Sequence, residues 1–181
     1  MNSVKARPEA TISQLRARAY RIPTDFPESD GTLQWNATTL VVAEVTCGDQ
    51  KGLGYTYADS STARLLNDLL AGIVEGCDAM ATSANWLTMV RAIRNLGRPG
   101  ISSMAIAAAD IALWDLKARL IGLPLVTLLG AARDSVDVYG SGGFTSYDDS
   151  RLAKQLSGWA EQGIPRVKMK IGREPNRDFA R

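Results

Sequence analysis

Alternation of hydrophobic and polar residues marks the first elements of the chain. Over residues 11–21 the apolar side chains fall mostly on one face of an extended backbone, which is typical of a half-buried strand. Residues 38–47 are rich in β-branched side chains, and after a turn at residues 48–51 the stretch 52–58 returns as a further strand. We therefore predict an antiparallel sheet.

Residues 22–36 separate the first two predicted strands. This stretch contains Pro23, Pro27, Gly31 and several small polar residues, and prolines and glycines interrupt regular structure. A connection of this length is uncommon in a compact domain unless it has a function. We predict a mobile flap without regular structure.

Three helices are predicted to follow the sheet. The first begins near Ser60 or Ser61 as its N-cap, the second covers residues 83–96, and the third runs from Ser102 or Ser103 to Leu120. A glycine followed closely by a proline ends both the second and the third helix. The third helix is rich in alanine, so we expect neighbouring elements to approach it closely.

The pattern then changes to that of parallel βα units. A short strand at residues 135–139 leads into a glycine-rich segment, a helix at 148–162 and a second strand at 166–172. Parallel strands need such a crossover helix between them. Because a parallel sheet is covered on both faces, these units are expected to be part of a larger sheet or barrel.

Composition and charge exclude several classes of function. The chain is 45% hydrophobic and 22% charged, with 21 Lys and Arg against 19 Asp and Glu, so its formal net charge is only +2. These charges are interspersed, and we expect neither nucleic acid nor membrane as a partner. No stretch is apolar and long enough to span a bilayer, so we expect a cytoplasmic protein. The absence of histidine excludes zinc sites built from cysteine and histidine.

Two lysines stand out on the last predicted strand. Lys168 and Lys170 are two positions apart and point to one face, whereas Val167, Met169 and Ile171 point to the other. Burial and mutual repulsion both lower a lysine pKa from its ordinary value of about 10.4. A lysine in such a place can act as a base near neutral pH.

Two other interpretations of this segment remain open. The strand can be an amphipathic edge strand with Lys168 and Lys170 in water. Together with Arg166 and Arg173 the lysines can also form an anion or nucleic-acid patch, although the alternation with apolar residues suits a buried strand better.

The order of these segments resembles that of the enolase superfamily, in the mandelate racemase and muconate lactonizing type. The resemblance rests on the flap, the hairpin GLGYTY, the helix ALWDLKARLIGLPLVTLLG, the strand VDVYGSGG and the motif RVKMKIG. It implies an α+β capping domain, with a three-stranded antiparallel sheet and a helix bundle, over residues 1–131. The first one to two units of a TIM-like (β/α) barrel would follow at residues 132–181, leaving the barrel incomplete.

The resemblance also implies a chemistry. Lys170 would be the acid/base that handles the proton α to a substrate carboxylate, and Lys168 would be its electrostatic helper. In this superfamily Mg²⁺ stabilises the enediolate that results. The resemblance places the Mg²⁺ ligands on later barrel strands, so we expect no metal ligands in this chain and no turnover by these 181 residues alone.

By the same resemblance the flap and the hairpin tip would close over the substrate. Phe26, Trp35 and Tyr55 are therefore candidate substrate contacts, although packing within the cap is an equally good interpretation of such side chains. Ser141 and Gly142 follow the first barrel strand, at the face where barrel active sites lie, and are further candidates. A plain turn between strand and helix is the alternative for these two.

The expected parent enzyme is an isomerase or a lyase: a racemase or epimerase, or a dehydratase, acting on a hydroxy or sugar acid. Its partner would be this small carboxylate, and we expect a homo-oligomer. The alternative is a non-catalytic, truncated capping-domain module that binds a partner through the unpaired edge of its unfinished barrel.

Overall fold

The computed structural model describes residues 10–180, and these residues form two compact units. The first unit contains residues 10–21 and 39–131, and the second contains residues 22–38 and 132–180. Two long strands of the chain contribute residues to both units. No helix within residues 10–180 is long and apolar enough to cross a membrane.

Three strands form the predicted sheet, β1 (Gln14–Ser29), β2 (Gln34–Cys47) and β3 (Gln50–Tyr57), in the order β1-β2-β3. β2 and β3 pair antiparallel, with Val41 opposite Thr56. The predicted antiparallel sheet is therefore confirmed.

The prediction that residues 22–36 lack regular structure was wrong. β1 continues to Ser29 and β2 begins at Gln34, so most of the stretch is extended strand and only a short turn connects the two. Pro23 and Pro27 lie within β1, and β1 is an edge strand of the sheet. Proline is tolerated there because an edge strand has one row of backbone N–H groups that no neighbouring strand needs.

The helices of the first unit are α1 (Ser61–Leu65), a π-helical turn (Leu66–Leu70), α2 (Ala71–Val74), α3 (Thr82–Ala92), α4 (Ile101–Leu120) and α5 (Leu125–Leu129). The three predicted helices are present, and α5 was not predicted. Ser60 makes no capping bond through its side chain; instead Asp59 Oδ1 accepts from Ser61 N at 2.8 Å. Gly122 directly follows the C-cap of α4 with φ of +67°, as predicted for a glycine that ends a helix. α3 instead ends at Ala92, before the predicted end at residue 96, so Gly97, with φ of +81°, does not end it.

β3 packs against α4 at very short range. A Cβ atom added to Gly52 would lie 2.7 Å from Leu116 Cβ, and one added to Gly54 would lie 2.7 Å from Ala112 N. Ala112 itself is fully buried. Glycine on the strand and alanine on the helix thus allow the two backbones to meet, and the expected close approach to α4 is confirmed.

Helix side chains occupy the open edge of β1. Asn67 Oδ1 accepts from Ala17 N at 2.8 Å and Asn67 Nδ2 donates to Ala17 O at 3.0 Å. Glu75 Oε1 accepts from Leu15 N at 2.9 Å. Since Leu15 and Ala17 are buried, these bonds replace the strand partner that an edge strand lacks.

Replacing Asn67 by leucine is expected to lower the free energy of unfolding by about 1–3 kcal/mol, because the N–H and C=O groups of Ala17 lose their partners. The measurement is urea unfolding, read as a lower midpoint at an unchanged slope. The neighbouring Asp68 is exposed, and Asp68→Ala should change stability by no more than about 0.5 kcal/mol. Equal losses in the two variants would contradict the role given to Asn67.

The second unit contains β4 (Gly140–Ser141), α6 (Asp149–Glu161), β5 (Val167–Lys168) and a 3₁₀ turn (Pro175–Arg177). β4 and β5 pair in parallel, and Asp148 caps α6 by accepting from Arg151 N at 2.7 Å. The predicted parallel βα unit is therefore present.

Both predicted strands of this unit are shorter than expected. Residues 135–139 are not a strand, and the predicted strand 166–172 is reduced to β5. Val136 and Val138 are 69% and 56% exposed. Within the described residues, β4 and β5 pair only with each other. Residues 135–139, which precede β4, therefore have no strand beside them.

Candidate active site

Backbone pairing between β4 and β5 sets the position of the two lysines. Ser141 lies opposite Lys168 in the parallel ladder, and Gly142 N donates to Lys168 O at 3.2 Å. The pairing continues beyond β5, since Lys170 N donates to Gly143 O at 2.9 Å. In an extended segment held in this way, side chains two positions apart emerge on the same side.

The amine of Lys170 lies beside that of Lys168 and within electrostatic range of the Asp30 carboxylate. Lys168 lowers the pKa of Lys170 through a side-chain hydrogen bond and through charge repulsion, partial burial lowers it further, and Asp30 raises it. The net result is a pKa below the ordinary lysine value. Lys170 thus loses its proton more readily than an isolated lysine and is suited to accept one from a substrate.

The environment of Lys168 differs from the expected one. Lys168 is exposed, whereas Lys170 is half-buried, so the expected desolvation is not found at Lys168. The reason is that β4 and β5 alone form the parallel sheet in the described residues. The Lys168 ammonium lies 5.4 Å from the centre of the Tyr139 ring, which is within the range of a cation–π contact. No local feature of the sequence indicates this contact.

Asp30 was not among the predicted site residues. Its Oδ1 atom accepts from Thr32 N at 2.7 Å, from Thr32 Oγ1 at 2.9 Å and from Leu33 N at 2.8 Å. These hydrogen bonds lower the pKa of the Asp30 carboxyl, which is therefore ionised at neutral pH. The available signal was the pair Asp30-Gly31 between two extended segments, which is a strong indication of a hairpin turn.

Phe26 and Trp35 belong to the same compact unit as the lysines and make packing contacts there. Trp35 Nε1 donates to Glu28 Oε2 at 2.7 Å, and the indole meets the Phe144 ring edge-on with centres 5.7 Å apart. The Arg151 guanidinium lies 3.2 Å from the centre of the Phe26 ring. These contacts give both aromatic side chains a structural role, and substrate contact stays a prediction.

Tyr55 lies on β3, in the first compact unit. Its side chain is 61% exposed and meets Tyr57 edge-on, with ring centres 6.5 Å apart. It points away from the face of β3 that carries Gly54, which packs on α4. Its predicted contact with substrate stays a prediction.

Ser141 and Gly142 have different surroundings. Ser141 is exposed, whereas Gly142 is buried. A Cβ atom at Gly142 would overlap the Gln155 amide and lie 2.7 Å from the Trp159 ring. Glycine at this position therefore allows α6 to pack on the sheet. The predicted contact of Ser141 and Gly142 with substrate stays a prediction.

The described residues do not form a magnesium site. Within residues 10–180 no three or more His, Cys, Asp or Glu side chains are grouped so that they could hold a metal ion. Asp30 is engaged with its own turn and is close to a lysine, an arrangement that does not suit a cation ligand.

The chain has clear relatives among known proteins. Residues 15–130 match the family model described as mandelate racemase / muconate lactonizing enzyme, N-terminal domain. The chain is 35% identical over 147 residues to L-talarate/galactarate dehydratase of Salmonella typhimurium, and the match covers 76% of this chain and 35% of that protein.

Solved structures agree with this result. The mandelate racemase/muconate lactonizing enzyme-like protein from Rubrobacter xylanophilus is 58% identical with a TM-score of 0.90, over 93% of this chain and 47% of that one. A racemase from Streptomyces coelicolor with bound magnesium is 31% identical with a TM-score of 0.87, over 93% of this chain and 49% of that one. The chain thus spans about half the length of these structures. It belongs to the mandelate racemase and muconate lactonizing enzyme family of the enolase superfamily.

Proposed function

We propose that this chain is the front part of an enzyme that removes the proton α to the carboxylate of a sugar or hydroxy acid. Lys170 would act as the acid/base and Lys168 as its electrostatic helper. The observation that supports this most is the lowered pKa of Lys170 beside the amine of Lys168. A neutral amine accepts a proton, whereas an ammonium group has no acceptor site.

The two lysines have different roles in this proposal. When Lys170 is neutral, the positive charge of the pair resides on Lys168, where it can attract a substrate carboxylate. The same charge favours the negative charge that develops on the carboxylate as the α-proton leaves. One lysine thus takes the proton while the other stabilises the charge that remains on the substrate.

The relatives narrow the class of substrate and reaction. One acts on L-talarate and galactarate as a dehydratase, and another is a racemase with bound magnesium. We place this chain with enzymes of sugar acids and propose dehydration or racemisation as the outcome, since both start with removal of the α-proton. Mg²⁺ for the complete enzyme is part of this proposal, with its ligands outside the described residues.

The test is solvent isotope exchange at the α-carbon. The complete encoded protein that carries this sequence is incubated in D₂O with Mg²⁺ and a panel of sugar and hydroxy acids, and deuterium at the α-carbon is followed by proton NMR. We expect exchange or product formation with at least one sugar acid, and loss of both in EDTA. A folded protein that exchanges no α-proton of any acid in the panel would refute the proposal.

A further inference from the structure

The turn between β1 and β2, residues 30–33, packs against the backbone that follows Lys168 and Lys170. Gly31 approaches it so closely that a Cβ atom there would lie 2.9 Å from Ile171 O and 3.3 Å from Gly172 C. Arg173 Nη1 donates to Ser29 Oγ at 3.1 Å, and Ser29 is only 1% exposed. The turn is therefore in contact with the chain directly after Lys170.

A directed series of hydrogen bonds holds the turn from its other side. The Ser29 and Thr145 hydroxyls are 2.7 Å apart. Thr145 Oγ1 donates to Asp30 O at 2.7 Å, and Thr145 N donates to Ser29 O at 2.9 Å. Since the Thr145 hydroxyl proton goes to Asp30, the Ser29 hydroxyl donates to Thr145 and accepts from Arg173. At one end of the series the Arg173 guanidinium can only donate, and at the other end the Asp30 carbonyl oxygen can only accept. The series therefore has a single arrangement, which holds the backbone of Asp30 in place.

This placement holds a negative charge within electrostatic range of Lys170. The Asp30 carboxylate cannot turn away freely because Thr32 and Leu33 donate three hydrogen bonds to it. The same bonds keep it ionised, since they lower the pKa of its carboxyl. Asp30 is thus an anion whose position is set by the turn and not by Lys170.

Charged groups reach this region from several segments. β5 contributes Lys168, which lowers the pKa of Lys170, and the turn contributes Asp30, which raises it. The segment after β5 contributes Arg173, whose guanidinium is on Ser29 Oγ, and Asp178, whose Oδ2 accepts from Gly172 N at 3.0 Å. Lys170 is therefore subject to two opposite effects, repulsion by Lys168 and attraction by Asp30.

We propose that Asp30 is a positioning residue that sets how much of Lys170 is present as the free amine, with Ser29 and Thr145 holding it in place. A fixed anion stabilises the ammonium form of a neighbouring lysine. It therefore keeps Lys170 more basic than Lys168 alone would leave it, and a stronger base accepts the α-proton more readily once it is neutral. The inference rests on the proposed role of Lys170 as the base.

The experiment compares Asp30→Asn with Asp25→Asn, an exposed carboxylate of the same hairpin. Asparagine at position 30 keeps a side-chain oxygen for the turn but removes the charge. The first readout is the pH dependence of Lys170 acetylation by acetic anhydride, followed by peptide mass spectrometry, which requires no substrate. The second is the acidic limb of the pH profile of α-deuterium exchange.

We expect both midpoints to move to lower pH in Asp30→Asn and to stay at their wild-type values in Asp25→Asn. An unchanged or higher midpoint in Asp30→Asn, or an equal shift in Asp25→Asn, would overturn the inference. If acetylation shifts as expected but no acid exchanges, the inference on Lys170 holds and the proposed function fails. If exchange occurs but neither midpoint moves, the function holds and the inference fails.

A second variant tests the support of the turn. Ser29→Ala removes one link of the hydrogen-bond series without changing any charge, so it should move the acetylation midpoint in the same direction as Asp30→Asn. The double variant Ser29→Ala, Asp30→Asn should show no further shift beyond that of Asp30→Asn. An unchanged midpoint in Ser29→Ala, or an additional shift in the double variant, would contradict the positioning role of Ser29.

Discussion

Replacing Lys170 by methionine is expected to slow α-proton exchange by about 10²- to 10⁴-fold, which is the usual contribution of a positioned general base. Methionine has a similar reach but no amine, so it neither accepts a proton nor repels Lys168. Because Lys168 keeps its charge, binding of the substrate carboxylate should weaken much less than the rate. The measurements are the initial rate of deuterium exchange at saturating substrate and the Kd of a non-reacting analogue.

Lys154→Met is the matched control for this prediction. Lys154 lies on α6 in the same compact unit, and its side chain is exposed. The same substitution there should leave the exchange rate within about twofold of wild type, as for surface changes away from the reacting groups. A Lys170→Met protein that is folded and exchanges at the wild-type rate would exclude Lys170 as the base.

Replacing Gly54 by alanine is expected to destabilise the protein by about 3 kcal/mol or more, at the upper end of the range for overpacking. The added Cβ would overlap the Ala108 carbonyl oxygen and lie 2.7 Å from Ala112 N. Both are backbone atoms of α4, which cannot rotate away as a side chain does. The helix would have to move off the sheet, and urea unfolding should show a much lower midpoint.

Gly72→Ala is a control that should change the stability of the protein in the opposite direction. Gly72 lies in α2, and a Cβ atom there would meet nothing within 4 Å. Alanine should stabilise the protein by about 0.5–1 kcal/mol, because it restricts the unfolded chain and favours the helix. If Gly54→Ala unfolds at the wild-type urea concentration, the contact between β3 and α4 is not as close as described.

Local sequence patterns were sufficient to predict the sheet and the main helices. The alternation around Ala17 and the glycine that ends α4, Gly122, act over a few neighbouring residues. Prolines gave a misleading signal at residues 22–36, because Pro23 and Pro27 indicate irregular structure unless the strand is known to be an edge strand. Edge position depends on the order of strands in the sheet, which no local pattern contains.

The candidate site could be predicted only in part for a related reason. The spacing of Lys168 and Lys170 is local, and the effect of Lys168 on Lys170 follows from it. Asp30 and Arg173 act on the same region from distant parts of the chain; Arg173 and its partner Ser29 are separated by 144 positions. Such contacts depend on the tertiary fold, and a single sequence does not specify which residues it brings together.

The side chains that cover β1 also affect how the protein is made. Glu75 and Asn67 follow the backbone groups they bind by 60 and 50 positions. During synthesis, β1 therefore leaves the ribosome well before these two side chains do. Until that helical segment has emerged and folded, the edge at Leu15 and Ala17 is open to strand addition from another nascent chain. Once Asn67 and Glu75 are bound, the backbone groups of Leu15 and Ala17 that they cover no longer offer a template for strand addition.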